Sequence, residues 1–167
     1  LNKSDLVSLL SIEEPDQLQR LFDLADLIRR ENVGDEIHLR GLVEFSNYCR
    51  KNCFYCGLRR SNCLLSRYRM EMDEILDTVQ LAEALGYKTV VLQSGEDSYY
   101  TLERMLWLVK QIKQRHKLAI TLSIGELPRH YYEQLFEAGA DRYLLRFETS
   151  NPELYKRLHP DSRYEHR

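Results

Sequence analysis

No apolar run in this 167-residue chain is long enough to span a membrane, and its first residues lack the charged-then-apolar pattern of a secretion signal. A strong excess of charge is missing too. The 24 basic and 26 acidic residues leave a formal charge of −2 and a pI near 6.2, which argues against a dedicated nucleic-acid binder. Four cysteines, three of them within eight positions, do not lay out a secreted disulfide framework. The second C-x2-C pair of a zinc ribbon is absent, and the five histidines (His38, His116, His130, His159 and His166) show no metal-ligand spacing and read as mostly solvated. These absences point to a reducing cytoplasm and no membrane. At 43% hydrophobic residues the chain can still build the core of one domain.

What is present is a C-x3-C-x2-C loop, Cys49, Cys53 and Cys56, closing the apolar run Leu42-Val43-Glu44-Phe45. Three thiolates on one short loop can hold three irons of a cubane and leave the fourth iron open to a ligand, whereas four thiolates close the site. An open iron can bind and reduce something, the arrangement of a radical enzyme that works in little oxygen. Two other readings stand beside it: a four-thiolate zinc site completed by Cys63, and purely structural thiols. Between Phe45 and Met70 lie six basic residues (Arg50, Lys51, Arg59, Arg60, Arg67 and Arg69) and no acid. Cations there lower the cost of an anionic cluster and help receive an anionic ligand.

Periodicity predicts helices over the first thirty residues, with Pro15 at a first helical position and Leu18, Leu21, Phe22, Ala25 and Ile28 on one face. After Gly34 the alternation Ile37, Leu39, Gly41, Val43, Phe45 predicts a strand that delivers the cysteine loop. A helix over 72–85 with Asp73 as its cap, a strand over 89–93, a helix over 102–115 and a strand over 119–123 follow. A helix opened by Pro128, a strand over 142–148, and a helix from Asn151-Pro152 that stops before Pro160 complete the pattern. Four βα units in a row define an α/β chain with a parallel sheet and right-handed crossovers. The expected architecture is half of a TIM-type (βα) barrel, residues 36–167, preceded by N-terminal helices over residues 1–35. Four units cannot close a barrel, so the sequence reads as the N-terminal part of a protein about twice its size, with self-association as the alternative.

In such a barrel the loops leaving the strand C-termini share one face, which carries the active site. That face would gather the three cysteines with Gln93, Ser94, Gly95 and Glu96 from the second strand, Thr121 and Ser123 from the third, and Arg146 and Glu148 from the fourth.

The run Phe45-Ser46-Asn47-Tyr48-Cys49-Arg50-Lys51-Asn52-Cys53-Phe54-Tyr55-Cys56-Gly57-Leu58-Arg59-Arg60 resembles the cysteine loop of the HydE family of FeFe-hydrogenase maturases. Further matches are Arg67-Tyr68-Arg69-Met70, Val91 to Asp97, Thr121-Leu122-Ser123 with Gly125-Glu126, Ala140 to Arg146, Asn151-Pro152 and Glu165-His166-Arg167. The resemblance implies a 4Fe–4S cluster on Cys49, Cys53 and Cys56, with its fourth iron chelating the amine and carboxylate of S-adenosylmethionine (SAM). An electron from the cluster then splits the sulfonium to methionine and a 5′-deoxyadenosyl radical. Tyr55 would abut the adenine, and Gln93, Ser94 and Glu96 would lie near the methionine amine. Thr121, Ser123, Arg146 and Glu148 would touch cofactor or substrate, and Arg167 the methionyl carboxylate. The family implies a small-molecule or organometallic substrate, an electron donor such as a ferredoxin or flavodoxin, and other hydrogenase maturases as partners. A methylornithine synthase or biotin synthase branch would use the same cluster on a different centre.

Overall fold

The structure is a computed structural model and describes residues 1–166. The chain divides into two compact units, Leu1–His38 and Leu39–Arg167. The first holds helices α1 (Lys3–Leu10) and α2 (Pro15–Val33). Asn2 and Asp5 form a reciprocal capping box at the start of α1, and Pro15 opens α2 at a position where its missing N–H costs nothing. In the apolar stripe of α2, Leu18 and Leu21 are half-buried, and Phe22 and Ile28 keep about half their surface in solvent.

The second unit runs β1 (Gly41–Ser46), α3 (Met72–Ala84), β2 (Thr89–Ser94), α4 (Leu102–Arg115), β3 (Ala119–Ser123), α5 (Arg129–Glu137), β4 (Arg142–Tyr143), α6 (Pro152–Leu158) and a 3-10 turn, Tyr164–His166. The four strands are all parallel and lie in chain order, β1-β2-β3-β4. This is the expected βα succession of a TIM-type barrel. Alternate strand residues decide its two faces. Val43, Phe45, Val90, Leu92, Ile120 and Leu122 are buried against Ile75, Val79, Met105, Leu108, Val109, Ile112 and Leu135 of α3, α4 and α5. Burying a side chain of this size stabilises by about 1.5–3 kcal/mol, so the helix-facing half of β1, β2 and β3 is committed to the core. The other half is left for chemistry.

Three local expectations are corrected. The first strand starts at Gly41 rather than Ile37, because the segment before it has no partner: Gly41 is the first β1 residue in register with β2, and Ile37 and Leu39 are largely exposed. The fourth strand spans only Arg142 and Tyr143, which pair with Thr121 and Leu122. One further bond, from Leu144 N–H to the Leu122 carbonyl (2.8 Å), ends the ladder before Arg146. The cap of α3 is Glu71, not Asp73; Glu71 and Glu74 exchange side-chain and backbone bonds.

Candidate functional site

Beyond Ser46 the chain leaves the sheet and folds into the cysteine loop, which is fastened to the end of β2. Gly95 N–H donates to the Ser46 carbonyl (3.3 Å), Arg50 N–H to the Glu96 carbonyl (3.0 Å), and Glu96 N–H to Cys49 Sγ (3.4 Å). Only glycine fits at 95. A Cβ there would lie 2.7 Å from Cys49 Cβ and closer still to the Tyr48 carbonyl oxygen. The far side of the loop is held by the last residue of α6 and the segment after it. Phe54 N–H donates to the Leu158 carbonyl (3.0 Å), Asn52 N–H to the Asp161 carboxylate (2.7 Å), and Lys51 Nζ to the Asp161 carbonyl (2.8 Å). Cys49, Cys53 and Cys56 are half-buried, and Cys63 is exposed.

The basic run is consumed largely in building this loop. Arg67 donates to the carbonyls of Asn47, Leu58, Arg59 and Asn62. Asn47 brackets the same turn, accepting from Tyr68 N–H and donating to the Ser66 carbonyl, both at 2.7 Å. Arg69 pairs with Asp97, and Arg50 with Glu96 at 3.0 Å. The Glu96 carboxylate is buried and also accepts from Glu126 N–H at 3.1 Å, joining the loops after β1, β2 and β3. Burial pushes the Asp97 carboxyl upward, but Arg69, the Ser46 hydroxyl and Tyr99 N–H outweigh it and hold the group below the usual carboxylate range.

On the face turned away from the helices, Glu44, Gln93 and Ser123 are in register across β1, β2 and β3, with Thr121 one pair below, opposite Val91. Gln93 donates to Glu44 Oε1 (3.0 Å), and Arg146 Nη2 donates back to Gln93 Oε1 (3.3 Å). Thr121 and Ser123 are almost fully buried. Strand pairing therefore brings Gln93, Thr121 and Ser123 together with Glu44, which the sequence reading missed, and the side chain of Arg146 reaches the row from beyond β4. Ser94 turns its hydroxyl to the Gly95 carbonyl. Glu148 is exposed and sits at φ +64°, the centre of a tight turn closed by Thr149 N–H on the Phe147 carbonyl (2.8 Å). Tyr55 is partly exposed, its ring edge-on to His159 at 5.1 Å. Arg167 lies outside the described residues. A cavity of about 420 Å³ lies on the helix side of the strand ends, lined by Ser94, Asp97, Met105, Tyr131 and Leu135 among others, apart from the polar row.

Two of the histidines are not solvated. His116 Nδ1 meets Glu83 Oε2 at 2.6 Å. His159 is almost completely buried, with Nδ1 at 3.5 Å from Cys53 Sγ. The thiols thus share one loop, with Glu96 N–H donating to Cys49 Sγ and the His159 ring nitrogen beside Cys53 Sγ, an environment that can suit anionic, cluster-bound thiolates. Among the described residues, no three His, Cys, Asp or Glu side chains gather closely enough to share a single metal ion.

A parallel βα sheet with a C-x3-C-x2-C loop on its first strand end defines a class, and a family model agrees: residues 43–167 match the radical SAM superfamily. The chain belongs to that superfamily of enzymes, which implies a 4Fe–4S cluster and SAM. More particularly, it is 56% identical to the FeFe-hydrogenase maturase subunit HydE of Thermotoga maritima over 95% of this chain and 45% of that protein. It is 32% identical to 3-methylornithine synthase of Methanosarcina acetivorans over 95% of this chain and 45% of that one. The solved structure of methylornithine synthase superposes with a TM-score of 0.83 at 32% identity, covering 99% of this chain and 50% of that chain. The chain thus spans about half the length of the relatives it matches.

Proposed function

We propose that this chain carries the cofactor-binding part of a radical SAM enzyme acting in assembly of the di-iron centre of FeFe-hydrogenase. The observation that carries the reading is the fastening of the cysteine loop to the polar strand ends. Cys49, Gly95 and Glu96 form one hydrogen-bonded junction, and Gln93 beside it links Glu44 to Arg146. Cys49, Cys53 and Cys56 would hold a 4Fe–4S cluster, which supplies the electron that cleaves SAM to methionine and a 5′-deoxyadenosyl radical. Gln93 and Glu44 offer acceptors to an ammonium group, and Arg146 a cation to a carboxylate; Ser94, which lines the helix-side cavity, is assigned to SAM on the resemblance alone. Tyr55 presents an aromatic edge or face to the adenine. Thr121 and Ser123 can bond ribose hydroxyls or substrate, and Glu96 acts by holding the three loops in place. Glu148 and Arg167 are assigned to SAM or substrate on the resemblance alone.

Hydrogenase assembly is favoured over methylornithine or biotin synthesis by the 56% identity to HydE against 32% to 3-methylornithine synthase. The resemblance implies, for the whole protein, a small-molecule or organometallic substrate, a ferredoxin or flavodoxin as reductant, and other maturases as partners, in the cytoplasm. No described helix is long and apolar enough to cross a membrane. A zinc or closed iron–sulfur module using Cys63 is the competing reading. Anaerobic reconstitution with iron and sulfide, followed by electron paramagnetic resonance (EPR), separates the two. A cubane signal that shifts on adding SAM, survives Cys63→Ala and disappears in Cys49→Ser, Cys53→Ser or Cys56→Ser supports the radical enzyme. A signal indifferent to SAM and lost in Cys63→Ala overturns it.

A further inference from the structure

We infer that His159 is a positioning residue for the cluster: its Nδ1–H donates to the Cys53 thiolate and raises the cluster's reduction potential. The assignment rests on the cluster reading above. Its geometric basis is independent of that reading.

His159 follows α6 and lies 106 positions from Cys53, yet its Nδ1 stands 3.5 Å from Cys53 Sγ, within hydrogen-bond range for sulfur. The imidazole is almost fully buried and is fixed on two sides. It stacks on the buried Tyr155 ring at 4.2 Å and 22°, and meets the edge of Tyr55 at 5.1 Å. Its backbone is fixed as well, since His159 N–H donates to the Tyr155 carbonyl at 2.8 Å and closes α6. The residues on either side hold the same loop. The Leu158 carbonyl accepts from Phe54 N–H, and Asp161 accepts from Asn52 N–H and Lys51 Nζ. With the bond from Lys51 Nζ to Ser162 Oγ (3.1 Å), five bonds from one short segment converge on residues 51–54, and of these five that of His159 reaches a thiol sulfur. The ring cannot swing away without breaking the stack.

The direction of the bond follows from chemistry. A thiolate bound to iron has no proton to give, so the ring nitrogen facing it must be the donor. An N–H directed at a thiolate withdraws charge from sulfur. Reduction adds an electron to the cluster, so the bond is stronger in the reduced state and the potential rises. On the other side Glu96 N–H serves Cys49 in the same sense. A backbone donor cannot be varied by substitution, whereas a histidine can, which makes His159 the adjustable member of the pair.

The test is an EPR-monitored redox titration of the reconstituted protein, with His159→Phe and His159→Asn beside the wild type. Phenylalanine keeps the stack and removes the donor; asparagine places an amide N–H near the position of Nδ1. The expected result is a more negative midpoint in His159→Phe, by at least a threefold change in the reduction equilibrium (tenfold being 59 mV for one electron), with iron content unchanged and partial recovery in His159→Asn. A wild-type midpoint in iron-replete His159→Phe overturns the assignment and leaves His159 a packing residue. Pulsed EPR of wild-type protein labelled with 15N-histidine gives a second reading that needs no variant. A weak imidazole-nitrogen coupling to the reduced cluster supports the bond, and its absence overturns it even if the variants fail to fold. A wild-type protein with no cubane signal overturns the cluster reading instead, and the assignment with it.

Discussion

Arg69 grips both oxygens of the Asp97 carboxylate, Nε to Oδ2 at 2.7 Å and Nη2 to Oδ1 at 2.9 Å, while its guanidinium lies over the Tyr48 ring at 3.9 Å. The Asp97 side chain is 2% exposed. It also accepts from the Ser46 hydroxyl at 2.6 Å and so joins the end of β1 to the loop after β2. Asp97→Asn leaves Arg69, about one-third exposed, without its counter-ion and weakens charge-assisted bonds to a buried group, so it should cost about 1.5–3 kcal/mol in denaturant unfolding. The sign of its pH dependence is fixed. The folded-state pKa lies below the usual aspartate value of about 3.9, so the contribution is complete above that value and is lost as pH falls through the depressed one. The stability gap between wild type and Asp97→Asn should be constant from neutral pH to about 5 and narrow below about 4. A gap that widens on acidification would sink the argument.

Gly95 sets how closely the second strand end can approach the cysteine loop. Gly95→Ala forces its methyl against Cys49 Cβ and the Tyr48 carbonyl, and backbone on one side must move. Overpacking of this kind costs about 1–3 kcal/mol, which a domain of this size can survive. The expected protein is folded by circular dichroism but retains little iron after desalting, because Cys49 has been displaced. Full iron retention would show that the contact does not fix the thiol.

The elements that were readable from sequence are those whose pattern is enforced along their whole length. The third strand and the helix Leu102–Arg115 were expected at the residues where they occur, because Ile120 to Ser123 of the one and a full stripe of the other are buried. Within that helix the buried residues are Met105, Leu108, Val109 and Ile112. The ends of the first and fourth strands were misjudged, since alternation continues in sequence where no neighbouring strand remains to pair with it. In the site, the cysteines were legible because their chemistry is carried by residue type and spacing. Glu44 was not: an acid at an alternating position reads as a solvent-facing residue, and only the register with Gln93 shows otherwise. His159 was not legible either, because its meeting with Cys53 depends on how the segment after the last long helix folds back.

Glu148 is the only described non-glycine residue at positive φ, at +64°. A non-glycine side chain there costs about 1–3 kcal/mol, and the conformation persists only where surrounding structure imposes it. Glu148→Gly should therefore stabilise the fold by about 1 kcal/mol in thermal or chemical unfolding, even after the added freedom of the unfolded glycine is discounted. If the carboxylate serves SAM or substrate, the same variant binds its ligand more weakly while unfolding later. A variant that gains stability and keeps full SAM affinity would remove Glu148 from the site.

Gln93 links an acid to a base through one amide, giving its N–H to Glu44 and its oxygen to Arg146. Glu44 and Arg146 are exposed, and Gln93 is only half-buried, so Gln93→Leu should change stability by less than about 1 kcal/mol. Its consequence for the ligand should be larger. Without the amide, Glu44 and Arg146 lose their common anchor, and two charged side chains that must present opposite poles to an amino-acid group become free to rotate. Losing one or two charge-assisted hydrogen bonds corresponds to about tenfold or more in affinity. The measurement is the SAM concentration that half-converts the EPR signal of the reconstituted protein. A rise of about tenfold with iron content unchanged assigns the row to the cofactor. An unchanged half-point would mean that the row serves the substrate or the sheet, because a residue in contact with bound SAM cannot lose both its hydrogen-bonding groups without consequence.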